Sequence, residues 1–233
     1  SVGIGHNALT AITSGAGNIA IGYLAMKENT TGQANIAIGY AAMDGSGGTN
    51  PADSDHNIFI GYSSGGGDWS AGADAKNEFN VCIGNSTMQA ALAGANYNTG
   101  VGYSALSAVT SGDNNTAVGY QAGLGLTTAG NCILIGNDTG KAVDAGHQNI
   151  AIGSQALELE TGATGTVTIG SYSSRQQAIG SGASGNTAVG YSAASNNGEG
   201  THNTYIGYNS GLGVVDNDNS GNTALGSESL IAI

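Results

Sequence analysis

The stretch Asn115-Thr116-Ala117-Val118-Gly119-Tyr120 is one copy of a unit that recurs along the whole chain. Anchored on its glycine, the unit occurs fourteen times, most often at intervals of 17 residues. The residue before the glycine is always Ile, Val or Leu, and ten copies have Asn four residues before it. A repeat of this length in a chain with 42 glycines predicts a β-solenoid. The anchoring glycines are Gly5, Gly22, Gly39, Gly61, Gly84, Gly102, Gly119, Gly136, Gly153, Gly170, Gly180, Gly190, Gly207 and Gly226.

Composition alone would suggest disorder, because the formal charge is -12 and large aliphatic residues are few. Only 9% of the residues are charged, however, and the apolar residues recur in register. Four basic residues against sixteen acidic ones argue against nucleic acid or an anionic membrane surface as a partner. No apolar run approaches the roughly 20 residues of a membrane-spanning helix. Both ends fall inside a repeat without a capping unit, so we expect residues 1–233 to be a single segment of a longer protein.

The repeat contains a strand that is apolar on both faces. Side chains alternate along a strand, so β-branched residues share one face, while the Ala column and the glycine share the other. A strand of this kind is normally buried on both faces. We therefore predict that one face lies inside the coil and that the Ala/Gly face is covered by a partner chain. Representative members of the aliphatic column are Ile21, Ile38, Val118 and Ile152.

The predicted architecture is all-β, a parallel β-roll of about 14 coils of about 17 residues, each consisting of a strand, a bend, a short strand and a turn. A second core position is predicted at Met26, Met43, Met88, Leu106 and Leu157. The motif Asn residues are expected to form a ladder of stacked amides. Two intervals of 10 residues flank Gly180, and they represent either truncated coils or one 20-residue coil. The glycine column is expected to exclude a Cβ atom through its backbone angle or the close approach of a neighbouring chain.

The units Asn-Thr-Ala-Val-Gly-Tyr and Asn-Ile-Ala-Ile-Gly-Tyr resemble the YadA-like head repeats of trimeric autotransporter adhesins. They resemble the related repeats of bacteriophage tail fibres more closely, because the adhesin repeat is usually shorter and lacks the Tyr column. The resemblance covers essentially the whole chain. It implies a left-handed roll, an intertwined homotrimer and a location on a virion or cell surface.

Two lateral insertions, at 41–57 and 63–80, interrupt adjacent coils and are expected to emerge side by side. Loops on a rigid scaffold commonly carry binding. Trp69 is the strongest candidate there, either as a plate for a sugar ring or as a side chain that only covers the roll. Asp68 and Asp74 are the expected acceptors for sugar hydroxyl groups. The full set of candidate binding residues is Trp69, Asp68, Asp74, Phe79, Asp53 and Asp55.

Motifs with catalytic or metal-binding precedents have weak support in this chain. Gly61–Gly65 matches G-x-S-x-G, but Gly-Tyr-Ser recurs as a repeat column. The match of 180–185 to G-x-G-x-x-G lacks a following helix. Asp53–His56 and Asp216–Asp218 could bind Ca²⁺, although Asx turns explain them as well. We expect no catalytic residue, metal or cofactor, and we expect Cys82 and Cys132 to be free and buried, because they lie three repeats apart.

These features predict a non-enzymatic fibre segment on a virion surface or otherwise extracellular, which forms a homotrimer and attaches to a glycan or protein receptor of the host cell. Neither nucleic-acid binding nor membrane insertion is expected. One alternative is the head of a bacterial trimeric autotransporter adhesin. A second is a polysaccharide-degrading tailspike, which would need a carboxylate pair about 5–9.5 Å apart.

Overall fold

The computed structural model describes residues 1–46, 54–69, 76–175, 182–183, 185–196, 198, 200–213 and 220–231. Two compact units are present, Ser1–Asn115 and Thr116–Ile233. Each is a parallel β-solenoid, which confirms the predicted all-β, parallel solenoid architecture. The described residues include no helix long and apolar enough to cross a membrane.

The first unit contains six short strands that pair in parallel with their neighbours in the chain. Ile19 pairs with Ile36, and Ile36 pairs with Ile58, so equivalent residues of successive repeats lie side by side. One repeat therefore adds one strand to the sheet. The strands are β1 (Val2–Ile4), β2 (Ile19–Ile21), β3 (Ile36–Ile38), β4 (Ile58–Ile60), β5 (Val81–Ile83) and β6 (Thr99–Val101).

The second unit continues the same pattern, with one small additional sheet. Its strands are β7 (Thr116–Val118), β8 (Ile133–Ile135), β9 (Ile150–Ile152), β10 (Ala163–Thr164), β11 (Val167–Ile169), β12 (Gly182–Ala183), β13 (Thr187–Val189), β14 (Thr204–Ile206) and β15 (Thr223–Leu225). Strand β11 pairs directly with β13, with Val167 opposite Thr187. The two 10-residue intervals thus form one 20-residue coil. Strands β10 and β12 form the two-stranded sheet.

A second short strand in every coil was the wrong expectation. Among the described residues it occurs only as β10 and β12, and elsewhere the second half of the coil is made of turns. The turns include non-glycine residues in the left-handed region, such as Leu24 and Met26 with φ of 60° and 47°. Because the left-handed conformation bends the chain sharply, these residues close the coil without a second extended segment.

The orientation of the strand is the reverse of the one predicted. The Ala column lies inside the coil, and Ala20, Ala37 and Ala117 are 0% exposed. The β-branched neighbours point outward, and Ile83 and Val118 remain 42% and 37% exposed. The core is narrow, because a coil of about 17 residues encloses little space. Small residues at the centre of the strand leave room for the second core position, where Met26, Met43, Met88, Leu106 and Leu157 are buried as predicted.

In most coils, side-chain volume is balanced between the central strand residue and the residue six positions later; the exceptions are Ala117 with Gly123, Thr168 with Ser174 and Ala188 with Ala194, where neither residue is large. Leu134 is opposite Gly140, where an added Cβ would lie 2.8 Å from Leu134 Cδ2. In the next coil the small residue is Ala151 and the large one is Leu157, and both are buried. Phe59 with Gly65 and Tyr205 with Gly211 repeat the large-and-small arrangement. Close packing of this kind explains why the central strand residue varies while the fold does not.

The motif asparagines form the predicted ladder. In the first unit, the Oδ1 atom of Asn57 accepts the backbone N–H of Asn80 at 3.0 Å and the side-chain N–H of Asn80 at 3.1 Å. Asn80 also donates to the carbonyl oxygen of Ala95 at 2.8 Å. Asn98 repeats these bonds onto Asn80, so each buried amide is satisfied within the ladder. At Cys132 the thiol takes the place of the amide and donates to Gly146 O at 3.4 Å.

Cys82 and Cys132 are free and buried, as predicted. Cys82 is the central residue of β5, whereas Cys132 occupies the Asn column. Burial raises the pKa of both thiols above its ordinary value. Because the thiolate is the reactive form, these cysteines serve packing and are poor nucleophiles.

The glycine column excludes a Cβ through its backbone angle, as predicted, and through close approach of the next coil instead of the expected neighbouring chain. Gly119 has φ of 139°, a backbone conformation that L side chains rarely adopt. A Cβ added there would lie 2.2 Å from the carbonyl oxygen of Gly136 in the next coil. The neighbour is a coil of the same chain, so the restriction does not require a partner chain. It sets how closely two successive coils approach.

We predict that Gly119→Val abolishes folding or costs more than about 4 kcal/mol of unfolding free energy, because strain and backbone collision act together. Gly226→Val is the matched control, since Gly226 has φ of 120° but no atom of the described residues lies within 4 Å of the added Cβ. Only the strain should remain there, about 1–3 kcal/mol. Denaturant unfolding measures both. Equal losses in the two variants would show that close approach of the coils is unimportant.

We also predict that Leu134→Ala costs about 2–5 kcal/mol and that adding Gly140→Leu recovers a large part of that loss. The double variant recreates the Ala151 and Leu157 arrangement, and Gly140 and Leu157 share φ near 55°. Gly140→Leu alone should destabilise through overpacking against Leu134. A double-mutant cycle measured by urea unfolding gives the coupling energy. Strictly additive losses would contradict volume balance.

Candidate functional site

Each unit exposes an apolar strip that we call the aliphatic face, made of the outward residues before and after the central strand residue. In the first unit, the column before the central residue consists of Ile19, Ile36, Ile58, Val81 and Thr99, which are in register. The column after it consists of Ile21, Ile38, Ile60, Ile83 and Val101, also in register. In the second unit, the column before the central residue begins with Thr116, Ile133, Ile150 and Val167. The column after it begins with Val118, Ile135, Ile152 and Ile169.

The aliphatic face has the character of an interaction surface. Its side chains are partly or largely exposed, and all are aliphatic except those of Thr99, Thr116, Thr187, Thr204 and Thr223. Successive residues of a column are about 4.8 Å apart, so the strip is continuous instead of scattered. Scattered surface aliphatics need no explanation, but a contiguous apolar strip marks a site of association.

A ladder of tyrosines follows the glycine column. In the first unit Tyr23, Tyr40 and Tyr62 stack with ring centroids 5.0 and 5.1 Å apart. In the second unit Tyr191 and Tyr208 stack at 5.6 Å. These rings are about half exposed. Stacking holds the rings in place, and it gives each unit a regular row of aromatic edges and phenol groups.

Trp69 is placed against the roll, not presented to solvent. It is 5% exposed, and its ring lies 5.6 Å from that of Phe59 at a tilt of 57°. Its backbone N–H donates to Gly45 O at 3.1 Å, which joins the second insertion to the first. These contacts make Trp69 an anchor that holds the second insertion against the roll.

The other candidate binding residues are divided between two places. Asp68 is exposed beside Trp69, whereas Asp53 and Asp74 lie outside the described residues. Phe79 is 42% exposed, and its backbone N–H donates to Asp55 O at 3.2 Å on the neighbouring coil. The structure therefore brings Asp55 and Phe79 together, at a distance along the chain from Trp69.

The catalytic and metal motifs find no supporting geometry among the described residues. Ser63, the central residue of G-x-S-x-G, has φ of 47°, and the equivalent repeat residues Ser104 and Ser192 have φ of 52°. Ser63 is thus a regular turn residue. In the described part of the chain, no three His, Cys, Asp or Glu side chains come together as a metal site. Asp216–Asp218 and most of 180–185 lie outside it.

One surface feature, a column of residues with left-handed backbone conformation, was not predicted from the sequence. The residue before the motif Asn is left-handed in both units, with φ of 60° at His56, 58° at Phe79, 57° at Tyr97 and 58° at His202. We call this column the left-handed column. The frequent Gly and Asn in it were the available signal, since these residues tolerate that conformation best. His56, Phe79 and Tyr97 are all exposed there.

We predict that Trp69, the only tryptophan, shows a blue-shifted emission and weak quenching by acrylamide, because its indole is buried. Trp69→Ala should cost about 3–5 kcal/mol of unfolding free energy through lost packing on Phe59. Phe79→Ala, which removes a half-exposed ring, should cost about 1.5 kcal/mol or less. Urea unfolding of the two variants makes the comparison. A fully quenchable Trp69 would contradict its role as an anchor.

No model of a protein family matches the chain, and no match was found among curated proteins or among solved structures. The features of this chain that bear on its function are therefore three surfaces of its own. Those surfaces are the aliphatic face, the tyrosine ladders and the left-handed column.

Proposed function

We propose that the chain is a non-enzymatic segment of a surface fibre, most consistent with a phage tail fibre or appendage that attaches to a host cell. The observation that supports it best is the aliphatic face, a continuous apolar strip on a rigid, internally hydrogen-bonded roll. A roll with such a strip is suited to lateral association, and repeated coils supply length.

The proposed assembly is a left-handed, intertwined homotrimer in which the aliphatic faces, and not the Ala/Gly faces, lie against one another. The number of chains and the handedness come from the resemblance to adhesin heads and tail-fibre repeats. The burial argument comes from the chain itself. Covering a half-exposed Ile or Val gains roughly 25 cal/mol for each Å² removed from water, and every coil contributes at least one aliphatic residue to the face.

Two other functions compete with this proposal. In a bacterial adhesin, the complete protein would end in a membrane-anchor domain; in a phage fibre, it would carry a virion-attachment or chaperone domain. A tailspike would release new reducing ends from host surface glycans. Incubating the assembled protein with such glycans and assaying reducing ends tests that last alternative directly.

We predict that light scattering of the purified segment gives three times its 22.7 kDa mass. Ile38→Asp should reduce the assembled fraction at least tenfold, because a carboxylate would be buried at the centre of the aliphatic face. Ser14→Asp is the matched control: it introduces the same charge at an exposed turn and should leave the mass unchanged. A folded monomer of the unchanged chain would refute the proposed assembly.

A further inference from the structure

Three exposed aromatic rings form a short stack in the left-handed column of the first unit. The His56 and Phe79 ring centroids are 5.0 Å apart with planes inclined by 13°. Phe79 and Tyr97 follow at 5.2 Å and 2°. Their backbones are joined coil to coil, because Tyr97 N–H donates to Glu78 O at 3.0 Å and Phe79 N–H donates to Asp55 O.

The position of these rings is costly for the backbone and gives little burial in return. Bulky residues at positive φ are uncommon, whereas Gly17, Asn114 and Gly165 occupy the same column in other coils. Phe79 and Tyr97 remain 42% and 57% exposed, so the rings do not fill the core. Three aromatic rings placed at the surface in successive coils, where they fill no core space, point to a binding role.

The stack ends beside a shelf, which we define as the exposed residues Gly17 and Ala34. Ala34 N–H donates to Ala16 O at 2.9 Å, so Ala34 occupies the left-handed column one coil before His56. Its side chain is a single methyl group and Gly17 has none. Among the described residues, Phe79 is the ring that stacks on His56, and the opposite face of His56 looks towards this shelf.

Polar groups border the shelf on the adjacent column. The Asp55 carboxylate accepts the backbone N–H of Gln33 at 2.6 Å, and the Gln33 side chain is exposed. Amide and carboxylate oxygens beside an open aromatic face are suited to a ring that has one apolar face and hydroxyl groups at its rim. A pyranose has this form, since its C–H groups carry partial positive charge that the ring face attracts.

We propose that a pyranose unit of an uncharged host glycan stacks on the open face of His56, above Ala34, as the next ring of the ladder. The inference rests on the proposed attachment function and names its ligand class. The formal charge of -12 and the neighbouring Asp55 disfavour glycans that carry carboxylate or phosphate.

The test is saturation-transfer NMR of the assembled protein with pentamers of β-glucose, mannose and N-acetylglucosamine, and with an oligogalacturonate as the anionic probe. We expect saturable binding of at least one neutral pentamer. Ala34→Tyr should reduce affinity at least tenfold by filling the shelf. It should keep or raise the melting temperature, because Tyr97 shows that the column accepts a stacked ring.

His56→Ala should weaken binding roughly three- to tenfold, the effect of losing one aromatic contact. His202→Ala is the matched control: it removes an exposed histidine from the same column of the second unit and should leave affinity unchanged. Absence of binding to all three neutral pentamers, tighter binding of oligogalacturonate, or undiminished binding by Ala34→Tyr would each overturn the inference. A trimer that attaches to cells without binding these probes would refute this inference alone, whereas a monomer that binds them at Ala34 would refute the proposed assembly alone.

Discussion

Close contact between successive coils is the constraint on which the rest of the structure depends. At the glycine column, the space of a Cβ is taken by the carbonyl oxygen of the next coil, as at Gly22 and Gly39, 2.2 Å from the ideal Cβ position. At the Asn column, an amide oxygen such as that of Asn57 accepts both the side-chain N–H and the backbone N–H of the next Asn. Buried amides left without these partners would cost about 1–3 kcal/mol each, so the two columns together hold the coils in one register.

The narrow core explains the exposed surface. A coil held this tightly has room for one large residue between its strand and its turn, and Phe59 or Leu134 occupies that room only where Gly65 or Gly140 leaves it free. The larger β-branched residues are consequently outside. The chain satisfies its backbone hydrogen bonds internally but leaves much of its aliphatic surface exposed, and that imbalance is the physical basis of the self-association proposed above.

The repeat length, the parallel strands, the amide ladder, the second core position and the free cysteines could all be predicted from sequence, because each depends on spacing. Which face of the strand points into the coil could not be predicted, since Ile21 and Ala20 are both apolar and alternation alone does not assign an inner side. The signal that would have identified the inner face was the pairing of a large residue with a small one six positions apart, as at Phe59 and Gly65. Trp69 could be identified as a candidate because it is the one tryptophan of the sequence and lies in an insertion, but its burial depends on tertiary contacts with Phe59.

The left-handed column shows how a regular scaffold acquires local chemistry. Its backbone conformation is fixed by the coil, so any residue placed there points outward at intervals set by the solenoid. Glycine or asparagine satisfies the geometry most easily, and His56, Phe79 and Tyr97 satisfy it at a conformational cost that stacking partly offsets. Because stacking covers the inner ring faces, only the outer faces of the two end rings, His56 and Tyr97, are left unstacked in the row. A ligand that recognises such a row is therefore selected at an end, and beside His56 the side chains shrink to Ala34 and Gly17.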